Sequence, residues 1–94
     1  MTSRMAPADV KRLIVTSLEE AILNAGLDPQ MLDDDTDLRM QGIIDSFGFV
    51  RMIADLETRL GCEIDLEQAD PETLTHLGAL SRHISAVVSG FSRT

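Results

Sequence analysis

The chain has 94 residues, 44% of them hydrophobic and only 3% aromatic, and a formal net charge of −8. That length holds one hydrophobic core, so residues 1–94 are read as a single domain with an ordered part over about 7–89 and frayed termini. One cysteine, Cys62, excludes an internal disulfide and a thiolate-rich zinc site, and no apolar run approaches the roughly 18 residues needed to span a bilayer.

In chain order, the first expected helix covers residues 7–25. Pro7 suits a first helical turn and Asp9 suits the positive end of the dipole. Val10, Leu13, Ile14, Ser17, Leu18, Ala21, Ile22 and Ala25 recur at three- and four-residue spacing and form one stripe. Gly26 and Pro29 supply the stop. Residues 27–45 then read as a long irregular loop, pinned to the core by Leu32, Leu38, Ile43 and Ile44. Connections of that length are uncommon and tend to be functional.

A second helix is expected from Ser46 to Leu60, with Val50, Ile53, Leu56 and Leu60 as its buried stripe, Phe49 on its shoulder and Gly61 as terminator. Cys62 to Leu66 alternates like a strand but has nothing to pair with, so it is read as an extended linker that tucks in Ile64. A short, imperfect helix is expected around Leu66 to Leu74. The last helix is placed from Thr75, as N-cap, to about Ser89, with Leu77, Leu80, Ile84, Val87 and Val88 inward and Gly90 closing it. Three longer helices and one short third helix, with a long loop between the first two, describe an all-α four-helix bundle.

The chemistry concentrates at Gly42-Ile43-Ile44-Asp45-Ser46-Phe47. There a hydroxyl meets a helix N-terminus, where unpaired N–H groups and the dipole favour an anion. No base stands nearby in sequence to make Ser46 a nucleophile by itself, so a phosphate-linked group delivered by another enzyme is the natural occupant. On its own, a serine at this position reads first as an ordinary N-cap, and Gly42 as a loop glycine. Charge adds context. Residues 28–70 hold twelve acids and three bases, while the segments on either side are nearly neutral. On composition alone, such acidity reads first as what keeps a small domain soluble; as a surface it is a poor partner for nucleic acid and anionic membrane and steers a basic protein partner toward it.

These residues resemble the acyl carrier protein family, and the likeness runs over nearly the whole chain: the glycine, the two apolar positions, Asp-Ser, the following apolar residue, the Asp37-Leu38 pair in the long loop, and the helix order. The resemblance implies that a phosphopantetheinyl transferase moves 4′-phosphopantetheine from coenzyme A onto Ser46. It implies that the arm's thiol then carries acyl groups as thioesters between a loading ligase and acyl-processing enzymes. Asp45 is expected to cap the helix, and the resemblance gives it a part in positioning metal during modification. The resemblance also makes the helix after the serine the face that partners read, with Phe47, Val50, Arg51, Ala54, Asp55 and Glu57 as candidates. Gly48 and Arg51 stand where carriers of fatty-acid synthesis usually have acids, and Arg51 is spaced to pair with Asp55. A specialised carrier is therefore expected rather than the housekeeping one. It is expected to be freestanding, monomeric, cytoplasmic and non-catalytic, with no resident metal. An aminoacyl or peptidyl carrier, or a helical interaction module that is never modified, are the alternatives.

Three further constellations fall away. Asp33, Asp35 and Asp37 alternate like the start of an EF-hand, but the glycine and the closing glutamate are missing. His76 and His83 are two helical turns apart, poor spacing for zinc. Ser46 lacks the Gly-x-Ser-x-Gly elbow of a hydrolase.

Overall fold

The computed structural model describes residues 5–66 and 74–91, and four helices lie within them: α1 (Pro7–Ser17), α2 (Glu19–Asn24), α3 (Ser46–Leu60) and α4 (Leu77–Phe91). Pro7 occupies the first turn of α1, and Asp9 reaches back to accept from the Ala6 N–H at 3.3 Å. The first expected helix is in two pieces. At Leu18 the backbone leaves helical geometry, its N–H shared between the carbonyls of Ile14 and Val15, and α2 begins at Glu19. α2 ends at Asn24, and Gly26 takes the left-handed conformation just beyond it.

α1 packs mainly along α4 and also touches α3. Ile14, Ile22, Leu38, Leu56, Leu77, Leu80 and Ile84 are wholly buried between them. Burying each such side chain contributes about 1.5–3 kcal/mol relative to leaving it exposed. The long loop supplies as much of this core as a helix does. Leu38, Ile43 and Ile44 are all buried, with a 3-10 turn at Pro29–Met31 capped by Asp28, whose Oδ1 accepts from Gln30 N at 2.9 Å.

Three expectations are corrected here. In α3 the buried residues are Met52, Ile53 and Leu56, with Phe49 and Leu60 half-buried, while Val50 is 64% exposed. Val50 lies one position away from the stripe that runs through Phe49, Met52, Ile53 and Leu56, so it faces out. The last helix opens at Leu77 instead of Thr75. The backbone N–H groups of Leu77 and Gly78 donate to the carbonyls of Thr36 and Asp34, both at 2.9 Å, so the loop caps this helix. Gly90 is the third correction: it lies inside α4 and does not end it. The expected short helix lies almost entirely at 67–73, outside the described residues.

The linker behaves as an extended segment. Cys62 and Ile64 are buried, and the Ile64 N–H donates to Glu57 Oε2 at 2.8 Å, folding the chain back along α3. Burial, and then the neighbouring Glu57 charge, push the Cys62 thiol above its ordinary value, which fits an inert filler. His83 Nε2 lies 2.6 Å from the carbonyl oxygen of Asp65 and ties the linker to α4.

Candidate functional site

Ser46 is the first residue of α3 and is exposed. The N-cap is Asp45, in extended backbone, with its Oδ1 accepting from Gly48 N at 2.7 Å. Ser46 is therefore not the capping residue. The aspartate does that work, and the serine hydroxyl has no hydrogen-bond partner among the described residues. Phe49 N donates to the Asp45 carbonyl, which leaves the N–H groups of Ser46 and Phe47 pointing out of the helix end without an internal acceptor among the described residues. Gly48 permits this tight cap. A Cβ there would stand 3.2 Å from the Asp45 carboxylate.

Behind this turn the loop is bolted in place. Gly42 adopts positive φ, and the N–H groups of Ile43 and Ile44 both donate to the Leu38 carbonyl. Asp37 is the hub. Its Oδ1 accepts from Arg39 N at 3.0 Å and Met40 N at 3.2 Å, the Thr75 hydroxyl also donates to its carboxylate, and His76 Nε2 lies 3.8 Å away. Partial burial pushes the Asp37 carboxyl up. The donors from Met40, Thr75 and Arg39, with the nearby His76, outweigh it and leave it below the ordinary carboxylate value. Leu38 N donates to the Thr75 carbonyl at 2.8 Å, completing the join between the loop and the start of α4.

The acidic run is thus largely consumed by structure. Asp33 Oδ1 accepts from the Asp35 N–H and the Thr36 hydroxyl, a self-closing turn rather than an ion loop, and Asp34 pairs with Lys11 at 3.1 Å. Among the described residues no group of three His, Cys, Asp or Glu is arranged to hold a metal.

An apolar cleft of about 270 Å³ opens beside Ser46, walled by Ile44, Phe49, Val50, Leu66 and Leu74, with Arg39 and Thr75 on its lining. Of these, sequence reading placed Val50 and Ser46 at the site; Arg39, Leu66, Leu74 and Thr75 it did not. Arg39 carried a usable signal, as the one cation in the loop of residues 27–45. The other three come from residues 20 or more positions further along the chain, and no local pattern brings them there.

Along α3, Phe47 is 83% exposed, and Val50, Arg51, Ala54 and Asp55 are exposed with it. Met40, 82% exposed, stands on the loop that carries Arg39. The expected Arg51–Asp55 pair does not form. Asp55 Oδ2 instead accepts from Arg59 Nε at 2.9 Å, and Arg51 has no ion pair among the described residues. Arg59 reaches Asp55 in the favoured order, with the acid nearer the helix start. Glu57 is half-buried and its carboxylate holds the Ile64 N–H, so it serves the fold as well as any surface.

The site fits a covalently attached phosphate. Its hydroxyl is open to an incoming enzyme, and two free N–H groups and a helix dipole sit beside the oxygen. A family model described as the phosphopantetheine attachment site matches residues 17–84. No curated protein and no solved structure matches the chain.

Proposed function

The chain belongs to the phosphopantetheine attachment-site family of carrier domains, and from that membership we propose that it is an acyl carrier whose prosthetic arm is attached at Ser46. Carrier domains of this family are non-catalytic, take 4′-phosphopantetheine covalently, and work with a phosphopantetheinyl transferase and partner enzymes. When bound, the arm supplies a thiol on which cargo travels as a thioester. Ser46 Oγ has no hydrogen-bonded base among the described residues, so we assign its deprotonation to the transferase. Asp45 fixes the turn that presents the hydroxyl.

The observation that supports an acyl cargo over an aminoacyl one is the apolar cleft at the foot of the arm. Its volume lies just under the range of about 300–1,000 Å³ typical of small-molecule sites, which suits a short acyl group. Among the described residues no helix is long and apolar enough to cross a membrane. We read the protein as a monomer acting in the cytoplasm. The partner face is Phe47, Val50, Arg51, Ala54 and Asp55, supported by the exposure of two apolar side chains and, on the helix that the serine opens, an arginine with no ion pair among the described residues. Partners that fit it offer an apolar pocket and do not depend on a basic surface built for an all-acidic helix.

The test is direct. Purified protein is incubated with coenzyme A and a broad phosphopantetheinyl transferase, and intact mass is recorded for wild type and Ser46→Ala. Wild type gains one phosphopantetheine and Ser46→Ala gains none. Absence of any gain removes the carrier reading and leaves the unmodified interaction module; modification of Ser46→Ala moves the site elsewhere. Loading of the modified form with acyl against aminoacyl groups then decides the cargo class.

A further inference from the structure

Arg39 is the residue around Ser46 that neither the fold nor the attachment chemistry uses. It lines the apolar cleft, and it also lines the shallow groove that runs past Gly42, Ile43, Asp45 and Gly48 on the other side of the serine. Its backbone is held at both ends: the N–H donates to Asp37 Oδ1 at 3.0 Å and the carbonyl accepts from Gly42 N at 3.1 Å. The residue before it, Leu38, is wholly buried. The side chain therefore springs from a fixed base into solvent, and its guanidinium has no ion pair or hydrogen bond among the described residues. The two acids beside it are already engaged. Asp37 is saturated by backbone and Thr75 donors, and Asp45 caps α3.

We propose that Arg39 holds the phosphodiester of the arm, an inference that rests on Ser46 being the attachment point. A phosphodiester on Ser46 Oγ is a permanent anion held where a cleft and a groove are both lined by Arg39 and Ser46. Guanidinium and phosphate oxygens pair bidentately through charge-assisted hydrogen bonds, and the planar fork loses little freedom in doing so. The free N–H groups of Ser46 and Phe47 approach the same oxygens from the helix end. Arg39 thus fixes the first bonds of the arm and biases its direction between cleft and groove. It is a positioning residue: it touches the arm and takes no part in forming or breaking the thioester.

The experiment uses the full chain in its modified form. Intact mass of wild type and Ser46→Ala comes first: a failure there removes the attachment reading and the Arg39 assignment with it, whereas a failure of the later arms alone overturns only Arg39. With the arm on Ser46, NMR follows the Arg39 side-chain Nε–H and the phosphorus signal of the arm. The Nε–H resonance is expected to move when the bare thiol arm is added. The phosphorus resonance is expected to differ between wild type and Arg39→Gln, to be partly restored in Arg39→Lys, and to be unchanged in Arg82→Gln. Arg82 is the control because it is exposed on α4 and lines a different hollow with Pro7 and Lys11. The difference shrinks as salt rises to about 0.5 M, as an exposed ion pair requires. A phosphorus signal identical in wild type, Arg39→Gln and Arg82→Gln overturns the proposal. So does an Nε–H signal that moves only when a carboxylate-bearing cargo is loaded.

Discussion

The loop ending at Leu38 and the first turns of α3 are neighbours in space and opposites in how they use their side chains. In the loop nearly every polar group is consumed internally. Asp28, Asp33 and Asp37 each accept backbone N–H groups, Asp34 holds Lys11, and Leu38 is sealed in the core. In the first turns of α3 the reverse holds: the Ser46 hydroxyl, the Phe47 ring, Val50 and Arg51 are all exposed, and neither the hydroxyl nor Arg51 has a side-chain polar partner among the described residues. The segment that looked like an electrostatic lure in the sequence is mostly scaffold. The face of α3 left free for other molecules is more apolar than net charge implies.

Leu38→Ala probes the scaffold side most severely. Removing a wholly buried leucine costs about 2–5 kcal/mol, read from the shift of the urea unfolding midpoint. A loss below about 1 kcal/mol breaks the contrast, because the loop would then not belong to the core. Asp37→Ala comes next, at about 1–2 kcal/mol, since it strands the N–H groups of Arg39 and Met40 and the Thr75 hydroxyl. Its pH signature has a definite sign. The folded-state value lies below the ordinary one of 3.8, so the contribution is complete above that value and fades as pH falls through the depressed one. Asp37→Asn should therefore flatten the acid limb of the stability curve, and an unchanged limb contradicts the hub role. The smallest thermodynamic effect belongs to the other region. Phe47→Ala is expected to stay within about 0.5 kcal/mol of wild type while slowing modification by the transferase. A large stability loss with normal modification would reverse the assignment of that ring.

What the sequence disclosed follows the range of the forces involved. α3 was legible to the residue, because an aspartate cap at one end and a left-handed glycine at the other are local signals. The same holds for the place of Ser46 at the start of α3, which the Asp45 cap beside it fixes. The break at Leu18 was not legible: the apolar stripe runs unbroken through it and no glycine or proline marks it. The start of α4 was misplaced because Thr75 has the chemistry of a cap, but its hydroxyl is spent on Asp37. The face of α3 was misjudged by one residue, Val50 for Met52, an error that apolar spacing alone invites when Phe49, Val50, Met52 and Ile53 crowd together. The cleft was invisible for a simpler reason. Its walls come from three separate stretches of chain, and periodicity reports only on one stretch at a time.

The glycine at position 78 has a consequence for the order in which the domain comes together. A Cβ there would stand 2.5 Å from the Asp34 Cβ, so only a bare backbone lets the loop press against the opening turn of α4. That contact lets Thr36 and Asp34 lend their carbonyls to the N–H groups of Leu77 and Gly78. The last helix therefore cannot complete its own beginning from local sequence; it waits for a segment about forty residues earlier to arrive. Synthesis runs from one end, but closure is mutual: the loop is finished by the helix and the helix by the loop. The loop that leads to Ser46 is consequently fixed only when the opening turn of α4 has reached it.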